Sequence, residues 1–378
     1  MHDHAGFGDS VDRVSPGDPE PSGGRLNEYR RRRDAARTPE PVPAEDDSSS
    51  DPGQRFVIQE HHASSLHWDL RLERDGVLVS WAVPRGLPPT PETNHLAVHT
   101  EDHPLEYATF SGEIPKGEYG GGTMTIWDSG HYACEKWSER EVKVVLDGER
   151  TQGRFVLFHT DGKNWMVHRM DAPVRPDWRP LPTGLPPMLA VPGRMPSARE
   201  DAAWSYEFDW PGYRALVGVD GGRVRVRSAE GADLTSALPE LRGLGEHLGL
   251  TQVLLDGVLV AVDATGRPAA DRIRSRIGLT GAEARSLSRR VPAVLLVTDL
   301  LHLDGRPLLD QPYRERRSRL DDLGLDGSAW KPAPSFAGGG AAVRAAAREQ
   351  RFDGLLAKRS TSPYRPGTSS PDWRRVRA

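Results

Sequence analysis

A single cysteine, Cys134, in 378 residues leaves no partner for an intrachain disulfide and no thiolate set for a structural zinc site. Any bound metal must be held by His, Asp or Glu, and a reducing compartment is the natural setting. Long apolar runs are missing as well. No stretch approaches the roughly 18 residues that a membrane helix needs, and the start MHDHAGFGDS has neither the charged nor the apolar region of a secretory signal. The expectation is a cytoplasmic protein without membrane attachment. An excess of one charge is also absent, since 50 basic side chains stand against 54 acidic ones, so contact with nucleic acid must be confined to local patches. Lysine is scarce: six, at positions 116, 136, 143, 163, 331 and 358, against 44 arginines. Arginine clamps phosphate well but cannot act as a nucleophile.

The length fits two domains. Residues 1–24 carry five acidic side chains with Gly and Pro and little to bury, which predicts a disordered acidic tail. An arginine run follows at Arg30 to Arg33, then a Pro/Ser/Asp-rich linker over 41–54. From Arg55 to about 171, eight short segments (RFVIQE, LHWDLRLE, VLVSWAV, HLAVH, TMTIWD, VKVVL, RFVLFHT and NWMVHRM) read as strands separated by turn residues, the pattern of an all-β barrel or sandwich. Eight prolines between Asp171 and Ala203 place a domain connection over 172–203, without regular helix or sheet. Residues 204–378 mix strands (RALVGV, RVRVRS, VLLDGVLVAV, AVLLVTDLL) with helical stretches (LPELRGLGEHL, GAEARSLSRR, GAAVRAAAREQ), an α+β domain.

The segment QEHHASSLHWDLRLE carries the chemistry. Leu66, Trp68, Leu70 and Leu72 alternate with His67, Asp69, Arg71 and Glu73, so one strand face is apolar and the other aligns imidazole, carboxylate and guanidinium. His61 lies one short turn upstream and could fold back to the same face, making with His67 and Asp69 a two-histidine, one-carboxylate set suited to Mn²⁺, Fe²⁺ or Zn²⁺ with Arg71 placed to clamp phosphate; the alternation alone equally fits an amphipathic strand with a solvated polar face. HLAVHTEDHPLEY adds His95, His99, His103 and Tyr107. The stretch PKGEYGGG lacks the order of a phosphate loop and precedes a strand, so it reads as a turn.

Residues from about Leu26 to Asp171, through YRRRRDAARTPEP, FVIQEHHASSLHWDLRLE, SWAVPRG, AVHTEDHPLEYATFSGEIPKGEYGGG and WMVHRMD, resemble the 3'-phosphoesterase domain of bacterial DNA ligase D. The resemblance implies a domain over 25–171 with its β core at 55–171. It implies manganese, or another divalent transition metal, on His61, His67 and Asp69, and catalytic roles for Arg71, His103 and Tyr107. It further implies phosphate and end recognition by Arg33, Asp34, Glu40, Gln59, Arg85 and His95, the last two standing where relatives place lysine and arginine. The implied substrates are DNA or DNA-primed RNA 3' ends.

Residues from about Pro182 to Ala378 resemble the adenylation (nucleotidyltransferase) domain of ATP-dependent DNA ligases, through YEFDWPGYRALV, VLLDGVLVAVD, TDLLHLDGRPL, DGLLAKRSTSPYRPG and WRRVR. The motif residues are degenerate. Where that family has its nucleophilic lysine this chain has Asp209, Pro211 replaces the following aspartate, Val258 replaces the glutamate of D-G-E, and Arg375 and Arg377 replace the closing lysines. A carboxylate cannot form the phosphoramide that stores AMP. Asp256-Gly257 can equally be a hairpin turn. The chain ends after WRRVRA, so no oligonucleotide-binding domain is expected to follow.

The expected function is a metal-dependent 3'-end-healing phosphoesterase of bacterial DNA repair, carrying a silent ligase-like domain whose ATP binding is left open. The alternatives are an active ATP-dependent ligase of end joining and a non-catalytic end-binding scaffold. Expected partners are nucleic acid 3' ends and, from the family setting, a Ku-type end binder, a repair polymerase or a separate ligase.

Overall fold

The computed structural model describes residues 22–43, 54–173 and 175–378. The tail expected over 1–24 and the linker expected over 41–54 lie outside the described residues except at their edges, where Ser22–Arg25 is a helical turn, α1. Helix α2 follows over Asn27–Arg31 and buries Tyr29.

The alternating segments form strands β1 (Arg55–His62), β2 (Leu66–Arg74), β3 (Val77–Val83) and β4 (Asn94–His99), then β5 (Gly112–Ile114), β6 (Gly122–Trp137), β7 (Glu141–Gly148), β8 (Gln152–Asp161) and β9 (Asn164–Arg169). Sheet order β1-β2-β3-β4-β9-β8-β7-β6, with β6 returning to pair β1, closes an eight-stranded antiparallel barrel; β5 is an extra strand on the β6 edge. All eight barrel strands are the segments expected from alternation. Closure removes every free edge of the barrel proper, and its interior is filled by residues such as Trp68, Leu70, Leu72, Trp81 and Phe155.

The opposite face of β2 is not solvated. Asp69, Arg71 and Glu73 are 5 %, 2 % and 3 % exposed, because the N-terminal segment and the Leu105–Thr109 3-10 turn lie across it, packing Tyr29, Tyr107, Ile114 and Met124 into a second small cluster. A polar face buried this way must satisfy itself internally.

The second half is an α+β unit of two sheets. In chain order it contains β10 (Leu189–Pro192), β11 (Trp204–Phe208), β12 (Tyr213–Asp220), β13 (Arg223–Ser228), α3 (Arg242–Leu248), β14 (Val253–Val260), α4 (Ala270–Arg274) and α5 (Gly281–Arg290). Then come β15 (Val294–Leu303), β16 (Arg306–Pro307), α6 (Tyr313–Asp322), β17 (Trp330–Pro332), β18 (Ser335–Ala337), α7 (Gly340–Glu349), β19 (Gly354–Arg359) and β20 (Ser369–Arg377). One sheet runs β10-β20-β19-β11-β18; the other runs β13-β12-β14-β15-β16, with β17 parallel to β15. Two expectations are corrected here. The proline-rich connection does contain regular structure, since Leu189–Pro192 pairs in parallel with the C-terminal strand at the sheet edge, where proline is tolerated. Asp256-Gly257 is no hairpin turn: both lie inside β14 at a register shift, and a Cβ on Gly257 would lie 2.7 Å from the Leu296 carbonyl oxygen. No helix among the described residues is long and apolar enough to cross a membrane.

Candidate active site

The antiparallel register of β1 on β2 sets His61 opposite His67 and Gln59 opposite Asp69, so four polar side chains meet on one outer face of the barrel. A register shift against β6 falls between Ile58 and Gln59, a bulge immediately beside the site. His61 Nδ1 lies 3.6 Å from Asp69 Oδ2 and His67 Nε2 lies 3.7 Å from Asp69 Oδ1, and the three potential ligand atoms fall within 4.8 Å of one another.

The other ring nitrogens fix the tautomers. His61 Nε2 lies 2.8 Å from the Gly120 carbonyl and His67 Nδ1 lies 2.9 Å from that of Ser65. A carbonyl oxygen only accepts, so both outer nitrogens carry protons and the inner nitrogens are the ones that face the carboxylate. Burial pushes the Asp69 carboxyl up, but the Arg71 guanidinium and the two imidazoles outweigh it and hold the group well below the usual carboxylate range. Two imidazoles whose outer nitrogens are already bonded, with one ionised carboxylate between them, are a set that fits a divalent transition metal.

Arg71 organises the second half of the site. It donates from Nε to Gln59 Oε1 at 2.6 Å, from Nη1 to Ser80 Oγ at 2.9 Å and from Nη2 to Asp69 Oδ2 at 3.0 Å, and its guanidinium stands 4.7 Å from the Tyr107 ring centroid. His103 Nδ1 donates to the Glu101 carbonyl at 2.8 Å, so the 3.0 Å approach of Arg71 Nη1 to the same nitrogen is a contact between donors and not a hydrogen bond. Burial, then Arg71 and Arg33, lower the His103 pKa well below the ordinary histidine value, leaving a neutral ring with its Nε2 lone pair 3.5 Å from Arg33 Nη2. Arg33 is clamped by Glu40 at 2.8 Å and Glu101 at 3.1 Å and stacks on Tyr29. Tyr107 donates to Glu40 Oε1 at 2.9 Å, and burial raises its phenol pKa.

The structure thus brings together His61, His67, Asp69, Arg71, Gln59, His103, Tyr107, Glu40 and Arg33. It does not bring in three residues expected to bind the phosphate or the end. Asp34 is exposed, and its Oδ1 accepts from the Ala36 amide in a turn. Arg85 pairs with Asp220, and His95 Nδ1 donates to the Gly86 carbonyl at 2.7 Å; both line a cleft against the second half. Strand parity could not foresee this, because both lie beyond the segments that carry the triad. Conversely, Ser80, Glu101, Tyr29 and Gly120 escaped the sequence reading, Gly120 because a turn glycine gives no sign that its carbonyl holds a ligand.

In the second half, Asp209 Oδ2 is 3.0 Å from Arg375 Nε, and burial raises its pKa against the pull of that arginine. Lys358 is fully buried, bonded to Glu207 at 2.9 Å and the Thr298 carbonyl at 3.1 Å. Asp256 is held by Arg214 at 2.6 and 2.7 Å and by Tyr364 at 2.7 Å. Val258 and Trp210 pack with Val260, Leu296 and Ala333 in an apolar cluster.

Comparison with known proteins now bears on these two halves. Residues 59–159 match the DNA ligase D 3'-phosphoesterase domain and residues 187–377 match the ATP dependent DNA ligase domain. The chain belongs to the ATP dependent DNA ligase domain family and carries a DNA ligase D 3'-phosphoesterase domain ahead of it. It is 44% identical over 358 residues to the multifunctional non-homologous end joining protein LigD of Mycobacterium bovis, covering 93% of this chain and 45% of that one. With the Pseudomonas aeruginosa LigD it shares 32% identity, over 93% of this chain and 47% of that one. The ligase domain of M. tuberculosis LigD aligns at 36% identity over 51% of this chain and 59% of that one, with a TM-score of 0.44. The chain spans about half the length of the curated relatives it matches.

Proposed function

We propose that the chain is a metal-dependent 3'-end-healing phosphoesterase acting on DNA or DNA–RNA ends, and that its ligase-like half neither forms an adenylate nor seals. The convergence of His61, His67 and Asp69 beside the buried guanidinium of Arg71 carries this reading. His61, His67 and Asp69 would hold Mn²⁺ or a similar ion, which when bound polarises a phosphoryl oxygen and acidifies water. Arg71 is pre-aimed by three hydrogen bonds and neutralises charge building on the phosphoryl oxygens without reorganising. The neutral His103 presents its Nε2 lone pair toward Arg33 Nη2, and Nε2 is the atom that would take or return the proton. Arg33 supplies a second positive charge beside that atom, and Tyr107 and Glu40 keep Arg33 and the N-terminal segment in place.

The ligase-like half supports silence on two counts. The position that needs an amine holds a carboxylate already paired with Arg375, and the remaining lysine of that neighbourhood, Lys358, is consumed by Glu207.

Incubated with Mn²⁺ and a duplex ending in 3'-phosphate or a 3'-ribonucleotide, the protein should release phosphate or ribonucleoside. His61→Ala and Asp69→Ala should each lower the rate at least about 100-fold; undiminished release in both would refute the assignment. Incubation with α-labelled ATP should leave the protein unlabelled, and a covalent adduct would show that the ligase reading is the correct one.

A further inference from the structure

A cleft between the barrel and the ligase-like half carries more positive charge than its surroundings explain. Two cavities, about 320 and 230 Å³, share Arg85, His95, Trp178, Asp220 and Gln252 and so form one continuous cleft. Arg223, Arg225 and Arg227 line its first part. They alternate along β13, an edge strand, so all three point to one face over roughly 13 Å. Among the described residues Arg223 and Arg225 make no close ion pair or side-chain hydrogen bond, and Arg227 donates to the Gly231 carbonyl and bridges to Asp233 through its backbone. Arg150, Arg175 and the buried Arg169, whose guanidinium is bonded to the Gln152 and Ala172 carbonyls, line the second part together with Trp127 and Trp178. The acidic groups facing these arginines are fewer than the arginines: Glu92, Asp171, Asp233 and Asp304, with Asp220, which Arg85 already neutralises.

Unpaired like charges along one strand face are unfavourable alone and call for a ligand with repeated negative charge. A single phosphate is too short to meet a row of this length. A phosphodiester backbone is not, and arginine interleaved with aromatic rings is the pattern that holds single-stranded nucleic acid, the rings stacking bases and the arginines tracking phosphates. The overall charge of −4 gives no general attraction for nucleic acid, which makes a concentrated basic track meaningful. The turn that joins the cleft residues Gly221 and Arg223 reaches the start of β2: a Cβ on Gly222 would lie 2.9 Å from Leu66 Cδ2, on the interior face of the strand and one residue before His67.

We infer that this cleft binds a single nucleic acid strand by its backbone, seating the strand that leads away from the phosphoesterase centre. The choice of strand rests on the proposed 3'-end chemistry; the binding itself does not.

The test measures fluorescence anisotropy of a fluorescein-labelled oligothymidylate of twelve nucleotides with the full chain and no divalent metal, across a salt series. Arg223→Glu/Arg225→Glu/Arg227→Glu should weaken binding more than tenfold and reduce the magnitude of the salt slope by about 2, at about 0.7 per lost phosphate contact. The milder Arg225→Ala, at an exposed position, should weaken it two- to fivefold without changing the far-ultraviolet circular dichroism. Equal affinity in the triple variant would overturn the inference, as would competition by polyglutamate as strong as by unlabelled oligothymidylate. If wild type binds the strand through these arginines yet releases no phosphate, the cleft stands and the phosphoesterase reading fails.

Discussion

His302 illustrates how a single side chain sets a solution property. It is fully buried on β15; its Nε2 donates to Gln252 Oε1 at 2.9 Å, while Nδ1 has no partner among the described residues. Protonating Nδ1 would bury a donor with nothing to accept, so burial lowers the pKa to about 4, with Asp220 pulling only weakly the other way. Unfolded histidine takes up its proton near 6.5, so between pH 6.5 and 4 the unfolded chain binds more protons and stability falls as pH falls. The loss reaches about 3 kcal/mol at most, at 1.36 kcal/mol per unit. Urea midpoints at pH 7 and 4.5 should fall further apart in wild type than in His302→Gln. Identical differences would mean that other groups carry the acid sensitivity. The same accounting of ring nitrogens separates His61 and His67, whose outer protons are both satisfied, from an ordinary buried histidine.

At the scale of elements, all eight barrel strands and the meeting of His61, His67 and Asp69 were legible because alternation reports directly which side chains share a face, and the three differ only by steps of register. What alternation could not report is what covers that face. Tyr29 and Arg33 arrive from a segment with no strand pattern, Glu101 and Ser80 act through contacts across the sheet, and α6, with charge on nearly all its surface, hides its Tyr313, Arg316 and Leu320 anchors. The PKGEYGGG turn is the instructive case, for it is a turn as expected and also a support of the site. Gly120 adopts φ 76°, which aims its carbonyl at His61 Nε2. A Cβ there meets nothing nearer than His61 Cε1 at 3.8 Å, so the obstacle to substitution is the dihedral and not space. Gly120→Val should rotate that carbonyl away and weaken Mn²⁺ affinity roughly 10- to 100-fold, as loss of an outer-shell partner does. Calorimetric titration with Mn²⁺ reads this directly, and unchanged affinity would remove the carbonyl from any role in holding the ligand.

The whole molecule is more tightly joined than a chain of two independent enzymes would be. Leu250, from the ligase-like half, packs against the barrel core, and a Cβ on Gly86 would lie 2.6 Å from its Cδ2. Gly221 abuts the backbone of Arg85, which itself pairs with Asp220. Arg242 at the start of α3 donates to Ser65 Oγ at 3.1 Å and toward the Ser64 carbonyl at 3.3 Å, touching the loop whose Ser65 carbonyl orients His67. The ligase-like half therefore serves the barrel directly, as the wall beside the His67 loop and one side of a basic cleft. If the halves share a core in this way, heating wild type should give one calorimetric transition. Leu250 is half-buried, so Leu250→Ala should cost about 1–2 kcal/mol, below the range for fully buried leucines, and should separate the barrel from the ligase-like half into two transitions. Two transitions already present in wild type, unmoved by the substitution, would mean that the halves fold independently and that the contact to the His67 loop is too weak to matter.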